Sequence, residues 1–337
     1  MSNQFYFLIC AAVAPVIAGL GYICAKDRYN REPLGMLVGA FFCGVISTLP
    51  VCIVEFFLEF FLKVFVPNPS PLLYSFWTAF IVAACTEECI KFLFLYGFVW
   101  RSPEFDERFD GIVYGVFVSL GFACAENLLY IFTSFSSGGV FAAFQTSIMR
   151  AIFSIPCHFF CGVILGYYLS LAKFETTNRF SPVAQNNTII KGLFFAILFH
   201  GIYDFILFYQ SSLSANANQD AEWTIENNSL SIVLFLVFLI FNIVFWRIGC
   251  RRISHLSNLL QPDSRFEPDA FITCSCCGKT YESDLLVCPR CKQLTEQSFR
   301  DKEAANFNMQ NQQLHYFNNY TSNHNTQFPN RNPYDMQ

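Results

Sequence analysis

An all-α polytopic membrane protein of about seven transmembrane helices, carrying a small cytoplasmic zinc ribbon and a disordered tail, is the fold class this sequence predicts. Three observations predict it. Of 337 residues, 54% are hydrophobic and only 14% charged, with a mean hydropathy of +0.37, where a soluble domain carries about 25% charged residues. Apolar runs long enough to cross a bilayer recur as far as residue 248, each needing roughly 20 residues at 1.5 Å rise. Beyond them, four cysteines stand at metal-ligand spacing. A net charge of −4 excludes nucleic acid as a partner. Most of the fifteen cysteines lie singly in apolar segments, where a thiol behaves as a small hydrophobe.

Taken in order, the predicted spans are 5–25, 35–62, 73–100, 111–134, 140–172, 189–210 and 230–248. The opening Met-Ser-Asn-Gln lacks the basic region of a cleaved signal, so the first run is expected to be retained. Connecting segments alternate in charge. Lys26, Arg28 and Arg31 follow the first span, Arg101 and Arg108 the third, Lys173 and Arg179 the fifth, and Arg247, Arg251 and Arg252 the seventh. Segments 1–4, 67–71, 135–139 and 211–229 hold no Lys or Arg. The positive-inside rule then sets the N-terminus outside and the C-terminus in the cytoplasm of a cell membrane, with the lipid bilayer as the protein's first partner. Trp77, Trp100 and Trp246 fit interfacial belts. Residues 1–252 form the transmembrane domain, 253–273 a polar linker, 274–292 the ribbon module, and 293–337 an Asn/Gln-rich tail too poor in aliphatic residues to bury a core.

The chemistry is carried by ionisable groups inside the apolar spans. Within Ala83–Tyr96, Glu87 and Lys91 stand one helical turn apart, and Glu88 lies about 100° around from Glu87. The fourth span holds Glu126 and Asn127, with Gly111, Gly115 and Gly121 suited to close helix approach. On the fifth, Arg150, Ser154 and His158 form one stripe, and on the sixth His200 and Asp204 are again i, i+4. Singly, each has a bland reading: an ion pair pinning two helices, a hydrogen-bonded packing histidine, a carboxylate that orients its neighbour. Together, lipid exposure of all eight would cost on the order of 20 kcal/mol, at about 3 kcal/mol each, more than the stability of a typical domain, about 5–15 kcal/mol. They are therefore expected to converge on one polar cavity able to activate water, hold a metal, or relay protons or ions.

Glu87-Glu88-x-x-Lys91, Phe122-x-x-x-Glu126-Asn127 and His200-x-x-x-Asp204, with Asp110-Gly-Ile-Val-Tyr-Gly and the Arg-Tyr-Asn-Arg-Glu-Pro loop at 28–33, resemble the PrsW intramembrane proteases over about residues 1–210. The resemblance implies an endopeptidase that cuts a membrane-anchored protein, a regulator such as an anti-sigma factor, and a relation to the CAAX-prenyl-protease and bacteriocin-processing superfamily. Amide hydrolysis needs a base, donors to the oxyanion and an acid for the leaving amine. The expected assignment makes Glu87 the base, Glu88 a partner of Lys91 or Arg150, His200 and Asn127 the oxyanion donors, and His158 the acid. Whether a catalytic divalent metal takes part stays open. The chain has no His-Glu-x-x-His. It carries Glu126 where the superfamily more often has His, and Asp204 where the superfamily often has Asn. An active-site metal would draw on Glu87, Glu126, His200 and Asp204. The rival classes are a carboxylate- and His-lined ion or proton transporter and a catalytically silent scaffold; no internal symmetry of broken helices favours a transporter.

Cys274, Cys277, Cys288 and Cys291 form C-x2-C-x10-C-x2-C, two knuckles that bring four thiolates to one structural Zn²⁺, with Gly278 permitting the turn and Cys276 a spare thiol. The reducing cytoplasm favours metal over disulfide. A cytoplasmic protein is the partner such a ribbon would serve.

Overall fold

Helices built from the apolar runs form the framework that positions the ionisable side chains. The computed structural model describes residues 2–27, 31–175, 181–217, 225–259, 271–274, 276, 278 and 280–282. Helix α1 is Ser2–Lys26 and α2 Leu34–Phe65. Helix α3, Pro71–Phe76, starts with the Ser70 hydroxyl accepting from the Leu73 amide and proline in its first turn, both favourable at a helix start. It runs without interruption into a π-helical segment, Trp77–Cys85, and then α4, Thr86–Val99. Helix α5, Asp110–Met149, leads through a second π-helical segment, Arg150–Ser154, to α6, Ile155–Phe174. Helices α7, Pro182–Ala217, and α8, Ile225–Leu259, complete this unit.

Among the described residues, five helical stretches are long and apolar enough to cross a membrane: Tyr6–Lys26, Leu34–Phe65, Asp110–Phe174, Pro182–Leu213 and Ser229–Ser257. The expected count of seven differs for two local reasons. The stretch predicted as 73–100 is helical from Pro71 to Val99 through α3, the π segment and α4, but it carries Glu87, Glu88 and Lys91 within it and is too polar to be one of the five. The 65-residue stretch from Asp110 folds back on itself: Gly139 takes φ 72° and ψ −163°, Ser134 and Thr146 hydroxyls meet at 2.9 Å, and Arg150 reaches back to Glu126. Glycine is what that left-handed turn requires.

The core is this α5–α6 hairpin. Every residue from Asp110 to Cys124 is buried, as is nearly all of Ile155–Phe174. A Cβ at Gly115 would strike the Gly162 carbonyl, and one at Gly166 the Gly111 carbonyl, so the glycines let two backbones touch, as small residues do between membrane helices. Helix α2 presses on the other side, where Gly44 meets the Val118 carbonyl and Gly121 the Phe41 carbonyl. The outer faces of α2 and α8 are studded with exposed Phe, Ile, Leu and Val, among them Phe56, Phe60, Ile240 and Ile243, the pattern of lipid contact. At one end of the hairpin Lys173 Nζ donates to the Phe105 carbonyl at 2.6 Å and the Trp100 carbonyl at 3.3 Å, and Asp110 accepts the amides of Asp106 and Glu107.

Helix α8 continues to Leu259 with Ile253 and Leu256 buried, so the start of the stretch expected as linker from 253 is packed helix. A second unit begins at Glu267. In it, strand β1, Phe271–Thr273, pairs antiparallel with β2, Thr280–Glu282. Gly278 has φ 71°, and its amide donates to the Cys274 carbonyl at 2.9 Å, the turn expected after the first cysteine pair. Cys274 is buried and Cys276 exposed. Cys277, Cys288, Cys291 and the tail lie outside the described residues.

Candidate active site

Two departures from regular α-helix bracket the site. Each π turn holds extra backbone per turn and re-aims the side chains beyond it, and such segments are frequent at functional sites. The first ends at Cys85, and the Thr86 hydroxyl reaches five residues back to the Ile81 carbonyl at 3.3 Å. Glu87, Glu88 and Lys91 come next on α4, all buried. The second begins with Arg150 and precedes His158 on α6.

From these starts the side chains converge. Lys91 Nζ lies 2.5 Å from Glu88 Oε1, 3.3 Å from Glu87 Oε2 and 3.3 Å from His158 Nδ1, and 4.4 Å above the Phe122 ring. His200 Nδ1 meets Glu88 Oε1 at 2.8 Å, while its Nε2 faces Asp204 Oδ2 at 3.2 Å and Glu87 Oε2 at 3.9 Å. His158 Nε2 lies 2.9 Å from Glu126 Oε2, which also accepts from Arg150 Nη2 at 2.8 Å. The two imidazole rings stand edge to face, 5.1 Å apart. An ammonium can only donate, so His158 Nδ1 accepts from Lys91 and Nε2 carries the proton that goes to Glu126. Each acid of this cluster thus has a cation or an imidazole beside it, the condition under which buried charge is tolerated.

The cluster borders a cavity of about 630 Å³ whose wall includes Glu87, His158, His200, Asp204, Glu126 and Arg150. Glu88 and Lys91, fully buried, stand behind that wall. The expected convergence is therefore met, with changes in who does what. Glu88 pairs with Lys91 rather than Arg150. Asn127 is consumed by structure: its amide donates to the Ala12 carbonyl at 2.7 Å and its oxygen accepts from Arg150 Nε at 2.8 Å, so it is tied into packing rather than aimed at an oxyanion. His158, engaged at both ring nitrogens, is held as a bridge between Lys91 and Glu126.

The donor set for a metal also shifts. Glu87, Glu88, His158 and His200 offer ligand atoms within 4.8 Å of one another, so Glu88 and His158 stand where Glu126 and Asp204 were expected. These donors are of the right chemical type. As arranged they do not fit a divalent ion, because the Lys91 ammonium already touches three of the four, and a metal would have to share that space with a positive charge.

Sequence reasoning passed over Glu55. It lies on α2 and lines the same cavity, along with Tyr130 and Tyr203. The signal available was Glu55, Glu59 and Lys63, recurring at i, i+4 and i+8 along the second apolar run.

A protein-family model described as PrsW family intramembrane metalloprotease matches residues 32–244. The chain is 38% identical to the Protease PrsW of Bacillus subtilis strain 168 over 202 residues, 60% of this chain and 83% of that one. It is 32% identical to the Protease PrsW of Clostridioides difficile strain 630 over 251 residues, 74% and 92% of the respective chains. No solved structure matches.

Proposed function

We propose, since this chain belongs to the PrsW family and is an intramembrane peptidase, that it cleaves a membrane-anchored protein with water activated by Glu87. One observation carries the reading: Glu87 and His200 face a common cavity while Glu88 and Lys91 are sealed behind them. Glu87 takes a proton from water as the water oxygen bonds to the scissile carbonyl carbon. The oxyanion that forms is stabilised by His200, whose Nε2 proton turns to it from Asp204 on the cavity wall while Nδ1 stays on Glu88. Glu87 then returns the proton to the amide nitrogen, and the C–N bond breaks. Glu88 holds Lys91 and His200 in place, and Lys91 and Arg150 balance the acids. This scheme retains the base and one oxyanion donor expected from sequence and moves the leaving-group proton from His158 to Glu87.

A metal-dependent variant has one observation in its favour, the four donors within 4.8 Å; Lys91 would have to swing away from them. Purified protein and a candidate substrate in vesicles decide between these. Cleavage that is lost in Glu87→Gln and survives a membrane-permeant chelator supports the glutamate scheme. Loss with chelator and recovery with Zn²⁺ supports the metal, and equal cutting by wild type and Glu87→Gln refutes both.

Seven crossings, counting α3 to α4 as one and the α5–α6 hairpin as two, with the N-terminus outside, agree with the charge alternation and make the cavity open toward the outer face. A regulator such as an anti-sigma factor is the substrate class the resemblance suggests. Structural Zn²⁺ on Cys274, Cys277, Cys288 and Cys291, presented to a cytoplasmic partner, is supported by spacing and by the Gly278 turn.

A further inference from the structure

Helix α2 contributes one stripe to the cavity wall: Thr48, Val51, Cys52, Glu55 and Glu59, the i, i+3, i+4, i+7, i+11 spacing of a single helical face. The two acids differ. Glu59 is paired with Lys63 at 3.6 Å, both side chains being well exposed. Glu55, half-buried, makes no hydrogen bond or ion pair with any described residue. The other acids on the wall of the same cavity are Glu59, Glu87, Glu126 and Asp204.

The other cavity acids are answered: Glu87 by Lys91, Glu126 by Arg150 and His158, Asp204 by His200. Arg150, the only lysine or arginine on the cavity wall among the described residues, is held by Glu126 and Asn127. The cavity therefore presents one unanswered carboxylate, about 15 Å along α2 from its end at Phe65 by helical rise. An anionic side chain entering there meets repulsion from several sides, and a cationic one completes a pair in a half-dry setting. The mostly apolar wall around it, including Val51, Val82 and Phe122, suits the methylene stem of a lysine or arginine.

We infer that Glu55 is a specificity-determining residue, selecting a lysine or arginine of the substrate close to the scissile bond; this rests on the peptidase reading above. The test uses full-length protein in phosphatidylethanolamine/phosphatidylglycerol vesicles. The probe is a set of single-span reporters with a randomised juxtamembrane segment, and cut products are read by mass spectrometry. Wild type enriches segments with Lys or Arg near the cut. Glu55→Gln lowers the ratio of kcat/KM for cationic over neutral segments by about tenfold, the worth of roughly one good charge pair. Glu55→Asp keeps the preference, and Glu55→Lys moves it toward Asp and Glu.

No cationic enrichment by wild type, or an enrichment unchanged in Glu55→Gln, overturns the inference. So does equal loss of cutting for all segments in Glu55→Gln at unchanged thermal midpoint, which would make Glu55 part of the reaction itself. If wild type cuts no member of the set, the peptidase scheme falls first and Glu55 with it, a result distinct from unselective cutting.

Discussion

Two buried acidic clusters share helix α5, and they are built differently. At the cavity, Glu87, Glu88, Glu126 and Asp204 are interleaved with Lys91, Arg150, His158 and His200. At the other cluster, by the α1–α2 loop and the start of α5, neutral donors do much of the work. The Tyr114 hydroxyl donates to Glu32, Asp110 accepts the Asp106 and Glu107 amides, and Asp27 accepts the Glu32 amide at 3.4 Å. The first cluster borders a cavity and, on the proposed scheme, passes protons to a substrate. The second is closed by packing, and its carboxyls fix two loops to the hairpin. On the proposed scheme, charge that is answered by charge beside open space does chemistry, and carboxyl groups answered by amides and a phenol hold architecture.

The sharpest way to break that contrast is Lys91→Met. Removing the ammonium leaves Glu87 and Glu88 facing each other, both buried, with His200 as their remaining partner. Breaking a buried pair by deleting one partner costs about 3–5 kcal/mol, so the thermal midpoint in detergent should fall sharply and cleavage should vanish. A variant of wild-type stability would mean that Lys91 does not balance the acids. Glu87→Gln comes next. It keeps shape and some hydrogen bonding, so the midpoint should hold while kcat falls by about 10²–10⁴. If stability falls and cutting persists, the cavity cluster is the architectural one. Tyr114→Phe probes the other side: it leaves the Glu32 carboxylate short of a donor and should cost about 1–3 kcal/mol, with kcat of the surviving folded fraction unchanged. A selective loss of kcat there would erase the distinction.

The same physics decides how much of this is legible in the sequence. Hydrocarbon penalises ionisable groups so heavily that the convergence of Glu87, Glu88, Lys91, Glu126, Arg150, His158, His200 and Asp204 can be read from residue type and spacing alone. The fold-back at Gly139 is foreshadowed by the break between the predicted spans at 134 and 140. Choice of partner is less legible. Asn127 reads as a catalytic amide until the Ala12 carbonyl is found beside it, a contact between residues 115 positions apart. The π segment Trp77–Cys85 carries no Gly or Pro to announce it. Glu55 escapes notice because, with Glu59 and Lys63 at i+4 and i+8 near the end of its span, it reads as part of an ion-paired helix end, although the penalty that exposes the others applies to it equally.

The smallest effect belongs to the second cluster and concerns pH. Burial pushes the Asp27 carboxyl up to about 6, against the opposing pull of the Glu32 amide and Arg31, and burial raises Glu32 as well, against its hydrogen bonds to Asp110 and Tyr114. A carboxyl whose pKa is higher in the folded state than in the unfolded chain makes the folded state bind more protons. Its stabilising contribution is full below the unfolded value, near 4, and is lost as pH rises through the folded value. The wild-type thermal midpoint should therefore decline between about pH 4 and pH 7. The decline should be shallower in Asp27→Asn, the two curves separating by about 2–4 °C for each kcal/mol involved. Curves for wild type and Asp27→Asn that stay parallel across that window would show Asp27 already ionised at its site. The loop cluster would then be held by paired charge, like the cavity, and the difference between the two ends of the molecule would lie in the open space alone.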